Sequence, residues 1–494
     1  MEQGLLFAIV IFPLVLCALG ARNYPVYSGL IPFLGGGTAL IGTVLVALSG
    51  APITARWLHT GLQLDTLSGS ISFAVLTIGG VVMRYSARYL EDDPKREHFL
   101  KSIAFVLVSV MIMLLTSNLA ALIVAWAAAS FFLHRLLMHF SERVKARRAA
   151  EQKFWVSRFG DLFLVAGAFG LHQIFGTMDL PEMFTMAAQL PSDHPNLFTL
   201  NASLCLLTAG AIVKSAQYPF HFWLPKSLET PTPISALLHA GVINGGGYLV
   251  IRLSPILHQS DVALIMLLLF GTLSTVYGAL VMSVQSDVKK QLAFSTVAQM
   301  GFMMVQCGLG AYQLASLHIV GHAFYKSYAF LSSGRAADLG KIRKLSPRRG
   351  ALTTDNLWPQ VIAMTMAVLG FLAILWITGI NPLGKSGGIL LSLVLVLAMA
   401  QALLSSENKT IGVTFALLMG ISYFVLSHFW GHLLEGVVQM RVTQHSLGHS
   451  IIAGFSLLAF FGLYVGQNNL HRFFETKFGC KFYVYLLNGG YLGR

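Results

Sequence analysis

The sequence predicts an all-α polytopic membrane protein, and three observations carry that prediction. Of 494 residues, 55% are hydrophobic and 11% charged, against about 25% charged in ordinary soluble domains. Apolar runs of about 20 residues, the length a helix needs to cross a bilayer, recur along the whole chain. The lysines and arginines then gather in alternate loops, as the positive-inside bias of membrane proteins requires. A soluble enzyme would have to bury all of those runs, so that class is set aside. The formal charge of +13 follows from loop topology. No basic-aromatic patch outside the membrane has room for a nucleic-acid site.

Spans are expected near 4–20, 26–49, 65–86, 100–117, 119–138, 154–175 and 200–218. Beyond a proline-broken stretch they continue at 232–253, 261–283, 291–309, 313–333, 357–380, 388–404, 409–433 and 449–466. That makes roughly 14–15 transmembrane helices. Basic residues follow the third span (Arg84, Arg88, Lys95, Arg96, Lys101), the fifth (Arg143, Lys145, Arg147, Arg148, Lys153), the ninth (Lys289, Lys290) and the eleventh (Arg335 to Arg349). Loops after even-numbered spans are nearly free of them, and one carries Asp179, Glu182 and Asp193. The N-terminus is then outside, and the tail with Arg472, Lys477 and Lys481 is inside. The polar stretches 86–101, 141–153 and 335–356 are too short to bury a core, and no hydrolase, kinase or dinucleotide motif sits on them. Cys17, Cys205, Cys307 and Cys480 form no CxxC pair, so no zinc ribbon or iron–sulfur site is signalled. Glu2 in place of a basic start speaks against a cleavable leader.

The stretch KSAQYPFHFWLPKSLETPTPISALLHAGVINGGGYLVIR, residues 214–252, is where function is expected. Lys214 ends an uncharged run, and a lysine at a membrane helix centre costs roughly 2.5–3.5 kcal/mol. Such residues face a bundle interior or wet cavity and mark ion or proton paths. Pro219, Pro225, Pro231 and Pro233 break the helix, which is tolerated at membrane depth only where protein or water satisfies the freed backbone. His239 lies just past the break. Gly245, Gly246 and Gly247 lack the following Lys-Ser/Thr of a phosphate loop and read as close helix packing.

A second segment, SLHIVGHAFYKSYAFLSS, places His318, His322 and Lys326 at i, i+4 and i+8. Each step climbs about 6 Å, so the three form a slanted row on one face. Histidine exchanges protons near neutral pH, which fits a proton relay. Two other readings stay open: half of a zinc site, though no carboxylate or cysteine accompanies it, or core histidines satisfied by hydrogen bonds. Arg158 and Asp161 are a helix-end ion pair or part of proton entry. Glu407 is an interface charge or an outlet residue. No metal-ligand set or cofactor motif is read.

These residues resemble a known family. KSAQYPFHFWLPKSLETPTPISALLHAG, SDVKKQLAFSTVAQMGFMMV with HIVGHAFYKSYAFLSSG, and QKFWVSRFGDLFLVAGAF are similar to the antiporter-like membrane subunits of respiratory complex I and Mrp antiporters. The similarity runs from about Phe99 to Gly340. It implies a 14-helix core of two inverted repeats, here near 98–255 and 258–410, each with a broken helix, and a cytoplasmic tail at 467–494. It also implies proton translocation. By position, Lys214 is the central broken-helix lysine, His239 its relay partner, and His318, His322 and Lys326 the relay of the second half.

Three departures refine the resemblance. Ala127 follows Trp126 where the family has a glutamate paired with the central lysine; His134 and His139 further along the span are candidate substitutes. GFLAILWITGINPLG has no Lys or Glu at its midplane, and no long lateral helix follows. Together with LHRLL and the NGGY tail, these features resemble the DabB-type membrane subunits of two-component inorganic-carbon accumulating systems. That resemblance implies a proton-conducting subunit of the bacterial inner membrane, without cofactor or enzyme chemistry of its own. Its partners would be the lipid bilayer, protons and a large DabA-type zinc-binding subunit, not nucleic acid. The competing readings are a complex I- or Mrp-type proton/sodium antiporter subunit and a scaffold without proton flow.

Overall fold

The computed structural model describes residues 27–57, 60–190, 195–334, 358–379, 387–406, 408–438 and 446–491, together with Leu6, Ile9 and Asn381. Apart from Leu6 and Ile9, the expected first span near 4–20 lies outside the described residues, as do most of the loop after the eleventh span and Glu407. Twelve of the described helical stretches are long and apolar enough to cross a membrane. The chain is an all-α multi-pass membrane protein.

Helix α1 (Tyr27–Ser49) leads into a two-stranded antiparallel hairpin, β1 (Ile53–Trp57) and β2 (Thr60–Leu64). Asp65 then caps α2 (Thr66–Tyr89): its carboxylate accepts from the Ser68 amide, and its own amide donates to the Ser68 hydroxyl. This reciprocal pair satisfies two of the orphan donors at a helix start. Helix α3 (Arg96–Leu115) packs beside it, and α4 (Leu119–Leu137) packs against α3.

Helix α5 (Val144–Phe175) is 32 residues long. The basic stretch expected as a loop over 141–153 is therefore largely helix. Its buried stripe, Ala146, Ala149, Ala150, Lys153, Ser157, Gly160 and Leu164, repeats at three and four residues, the period of one helix face. The small residues let α5 lie close to α4 and to α7 (Leu197–Lys214), reached after the short α6 (Leu180–Ala188).

The chain then leaves helical geometry from Ser215 to Pro231, apart from a 3-10 turn over Pro225–Glu229. Ala216 there takes a positive φ of 51°. The span expected over 232–253 is two pieces, α8 (Thr232–Ala240) and α9 (Gly245–Arg252), joined by a 3-10 turn at Val242–Asn244. The glycines opening α9 do provide close packing: a Cβ at Gly245 would meet the Trp126 ring at 2.9 Å.

The second half comprises α10 (Asp261–Val284), α11 (Val288–Gly308), α12 (Tyr312–Leu331), α13 (Trp358–Thr378), α14 (Gly388–Ser405), α15 (Lys409–Leu433), α16 (Leu447–Phe474) and α17 (Lys477–Leu487). Helices α11 and α12 have the length of a span but are not among the twelve. One core runs through α1–α12; a second joins α13–α16 to α10 and α11.

The loops sort onto two faces. On one, the hairpin meets the start of α4 (Ser117 amide to Gly61 carbonyl, 2.9 Å), Gln259 reaches Ala187, and Asp261 accepts from the Ser446 amide. On the other, the α2–α3 connection meets the end of α4, through His139 with Asp93 and Arg135 with His98. The second face carries Lys95, Arg96, Arg143, Lys145, Arg147 and Arg148, the face that the positive-inside bias expects in the cytoplasm.

Candidate functional site: a buried chain of lysines and histidines

Lys214 is the last residue of α7, and its ammonium is buried. It forms an ion pair with Asp161 of α5, whose second oxygen takes Arg158 at 2.8 Å. The ammonium also lies over the Trp126 ring, 4.2 Å from its centroid. Gly160 makes the approach possible, since a Cβ there would run into the Lys214 side chain. The pair therefore brings together two residues from adjacent transmembrane helices, with Arg158 anchored on the Ala127 carbonyl at 3.4 Å. Asp161 occupies the role of Lys214's carboxylate partner although Ala127 follows Trp126.

The proposed substitutes stand elsewhere. His134 is half-buried, its Nδ1 3.2 Å from the Ala150 carbonyl and its ring against Phe154. His139 pairs with Asp93 at 3.0 Å on the basic face. Neither has a contact with Lys214 among the described residues. Burial alone would raise the Asp93 carboxyl; the hydrogen bonds from His139 and the Lys95 amide, with the charges of both, outweigh it and hold it below the usual value.

One member of the site, Lys153, falls by sequence among the basic residues that follow the fifth span. Lys153, only 4% exposed, donates to the Ser130 hydroxyl at 2.7 Å and to the Ser130 carbonyl. Ser130 and Ser157 hydroxyls lie 2.6 Å apart. A cavity of about 20 Å³ is lined by Lys153, Ser130, Ser157, Trp126 and Lys214, room for about one water. The signal was in the sequence: Lys153 sits on the small-residue stripe of α5.

Past the break, His239 of α8 is fully buried. Its Nδ1 lies 3.0 Å from the Thr296 hydroxyl, and its ring stacks on Phe330 at 4.3 Å. Helix α8 packs on α12, where Lys326 is also fully buried and donates to the Leu292 carbonyl at 3.1 Å. His318, His322 and Lys326 follow one another at successive turns of α12, and His239 stacks on Phe330 of the same helix, so the four belong to one neighbourhood. His318 Nδ1 meets Gln306 Oε1 at 3.0 Å, and the His318 and His322 rings are 6.0 Å apart. Among the described residues no carboxylate reaches Lys326.

Buried polar atoms without a partner among the described residues concentrate here: Gln217 Oε1, His221 Nδ1, Trp223 Nε1, Ser235 Oγ, His239 Nε2 and both nitrogens of His322. Native cores leave few such atoms, and water normally serves them. Among the described residues no three His, Cys, Asp or Glu side chains converge on a metal position.

A second buried ion pair joins Arg252, at the end of α9, to Asp65, the cap of α2. It forms the floor of a cleft of about 270 Å³ on the face away from the basic loops. The readable signal was the Asp-x-x-Ser cap before an apolar run.

Residues 116–404 match the membrane family described as NADH:quinone oxidoreductase/Mrp antiporter, and 53–100 match the N-terminus of complex I chain 5. The chain belongs to the complex I/Mrp antiporter-like family. Within it stand the DabB-type relatives, and this chain groups with them. It is 31% identical over 442 residues, 85% of this chain and 79% of the relative, to the probable inorganic carbon transporter subunit DabB1 of Halothiobacillus neapolitanus. It is 36% identical over 357 residues, 70% and 67% of the two chains, to the DabB of Hydrogenovibrio crunogenus. Complex I chain 5 of Neurospora crassa is 32% identical over 309 residues, 60% of this chain and 42% of that protein. In fold, this antiporter-like chain is similar to the Mrp complex of Dietzia sp. (TM-score 0.64, 21% identity), covering 99% of this chain and 59% of that one.

Proposed function

We propose that this subunit conducts protons across a bacterial inner membrane and couples their flow to the accumulation of inorganic carbon by a zinc-bearing partner subunit. The observation that carries the reading is the Lys214–Asp161–Arg158 cluster. A subunit without proton flow would have no need for a lysine buried in the membrane and paired with a carboxylate on the neighbouring helix. Buried ion pairs add little net stability, because desolvation cancels most of the attraction, so their retention favours a working role.

The path runs from Lys153, through the one-water cavity, to Lys214, then along His239, Lys326, His322 and His318. Lys214 passes a proton across the broken helix, with Asp161 stabilising the charged state and water serving the orphan atoms around His221 and Ser235. No bond is made or broken on carbon within this chain; movement of charge changes the state of the partner. The names of the DabB relatives support inorganic carbon as the cargo.

Uptake of labelled bicarbonate by cells carrying this chain and its partner tests the reading. Uptake that collapses with an uncoupler, and a zinc-containing large subunit on copurification, are the expected results. The similarity to complex I chain 5 and Mrp favours a second reading, a proton/sodium antiporter subunit. Quinone- or NADH-linked subunits on copurification, or sodium-driven proton release from vesicles, would establish that one instead.

A further inference from the structure

His428 and His432 lie one turn apart at the end of α15, on the face away from the basic loops. Their Nε2 atoms converge to 3.3 Å, with the rings nearly perpendicular at 87°. Two nitrogens bound about 2.0–2.1 Å from one tetrahedral zinc stand about 3.3 Å apart. Glu435, in the turn that follows, places its carboxylate 3.3 Å from His432 Nδ1. That contact fixes the tautomer with the proton on Nδ1 and leaves the Nε2 lone pair facing His428. A carboxylate on the far nitrogen is the usual way a metal-binding histidine is oriented.

The scaffold is firm at this point. The Trp430 indole donates to the Ser316 hydroxyl at 2.9 Å, and the Gln313 amide donates to the Gly431 carbonyl at 3.3 Å. Both contacts bind the last turn of α15 to the start of α12. His432 and Glu435 are 65% and 78% exposed and rim the cleft above Arg252 and Asp65. Water therefore has access to complete a coordination shell that the protein only half supplies.

We propose that His428 and His432 form a bidentate site for a late divalent transition metal, Zn²⁺ or Cu²⁺, with Glu435 as the positioning residue for His432. In the metal-free protein the two nitrogens share one N–H···N hydrogen bond; on metal binding the His428 proton moves through solvent to its Nδ1, and the cation takes the place it left between the two Nε2 atoms. The site is separate from the lysine–histidine chain and puts the cation at the mouth of the outer cleft.

The test is a Cu²⁺ titration of the full chain in detergent, purified on a tag free of histidine and followed by electron paramagnetic resonance. The wild type should bind one tight equivalent whose spectrum shows coupling to two nitrogens. H428A and H432A should each lose that equivalent, E435Q should weaken it about tenfold, and Zn²⁺ should compete with the copper only in large excess, as the order of divalent affinities requires. All three positions are on the surface, and H428Q provides a polar check on folding. The same titration in H428A, H428Q and wild type, or no two-nitrogen species in the wild type, overturns the proposal.

Discussion

Two buried lysines stand about a hundred positions apart in this chain, and their surroundings differ. Lys214 is held by a carboxylate, a second cation beyond it and an aromatic face. Lys326 has a backbone carbonyl and three histidines in its neighbourhood, with no acid among the described residues. The first is one charge in a compensated cluster; the second sits among dipoles and titratable rings. Under the proposed function the two would do different work: a lysine locked to a carboxylate would store a proton and respond to the geometry of its pair, whereas a lysine among imidazoles would hand protons along a row.

The largest expected effect is on transport. K214A or D161N should reduce uncoupler-sensitive bicarbonate uptake to the background of cells lacking the subunit, while the protein still reaches the membrane. K326M should do the same. If it left uptake at the wild-type rate, the second centre would not belong to the path and the comparison would fail.

Stability should separate the two centres. Removing Asp161 strands the buried Lys214 charge, and breaking one side of a buried pair costs about 3–5 kcal/mol. The double variant K214M/D161L, which removes both charges, should recover most of that loss, read as the thermal midpoint in detergent. At the second centre K326M strands nothing, and a replacement of similar volume should change stability by less than about 1.5 kcal/mol. Equal losses for D161N and K326M would erase the distinction.

How much of this was legible beforehand follows the physics of each signal. Spans and the lysines in apolar helices depend on local composition, and from the second expected span on, the described residues have the corresponding helices. Asp161 and Arg158 were visible as a pair, but their third member comes from a helix that begins 36 residues after Asp161, and no local period reveals that packing. Lys153 was hidden by charge: it belongs to a run of basic residues, yet the small-residue stripe of α5 turns it inward. The split of 232–253 into α8 and α9 has no proline at Val242–Asn244 to announce it.

The smallest effect lies at the basic face. The Asp93 carboxyl is held below its ordinary value by His139 and the Lys95 amide. Its contribution is therefore complete above the unfolded value near 3.9 and is lost as pH falls through the lower folded value. For a partly exposed pair this is about 0.5–1 kcal/mol. The thermal midpoint of D93N should fall below that of the wild type at pH 7, and the gap should close under acid conditions. A gap that widens in acid would reverse the sign.

The central claim is that Asp161 does for Lys214 what a glutamate beside Trp126 does elsewhere in the family. Position 127 already lies next to Arg158, through the Ala127 carbonyl, so a carboxylate can be returned there. The direct measurement is labelled-bicarbonate uptake by D161N and by D161N/A127E, each with and without an uncoupler. Background uptake is expected in the single variant and restored, uncoupler-sensitive uptake in the double. Wild-type uptake by D161N alone would contradict the claim.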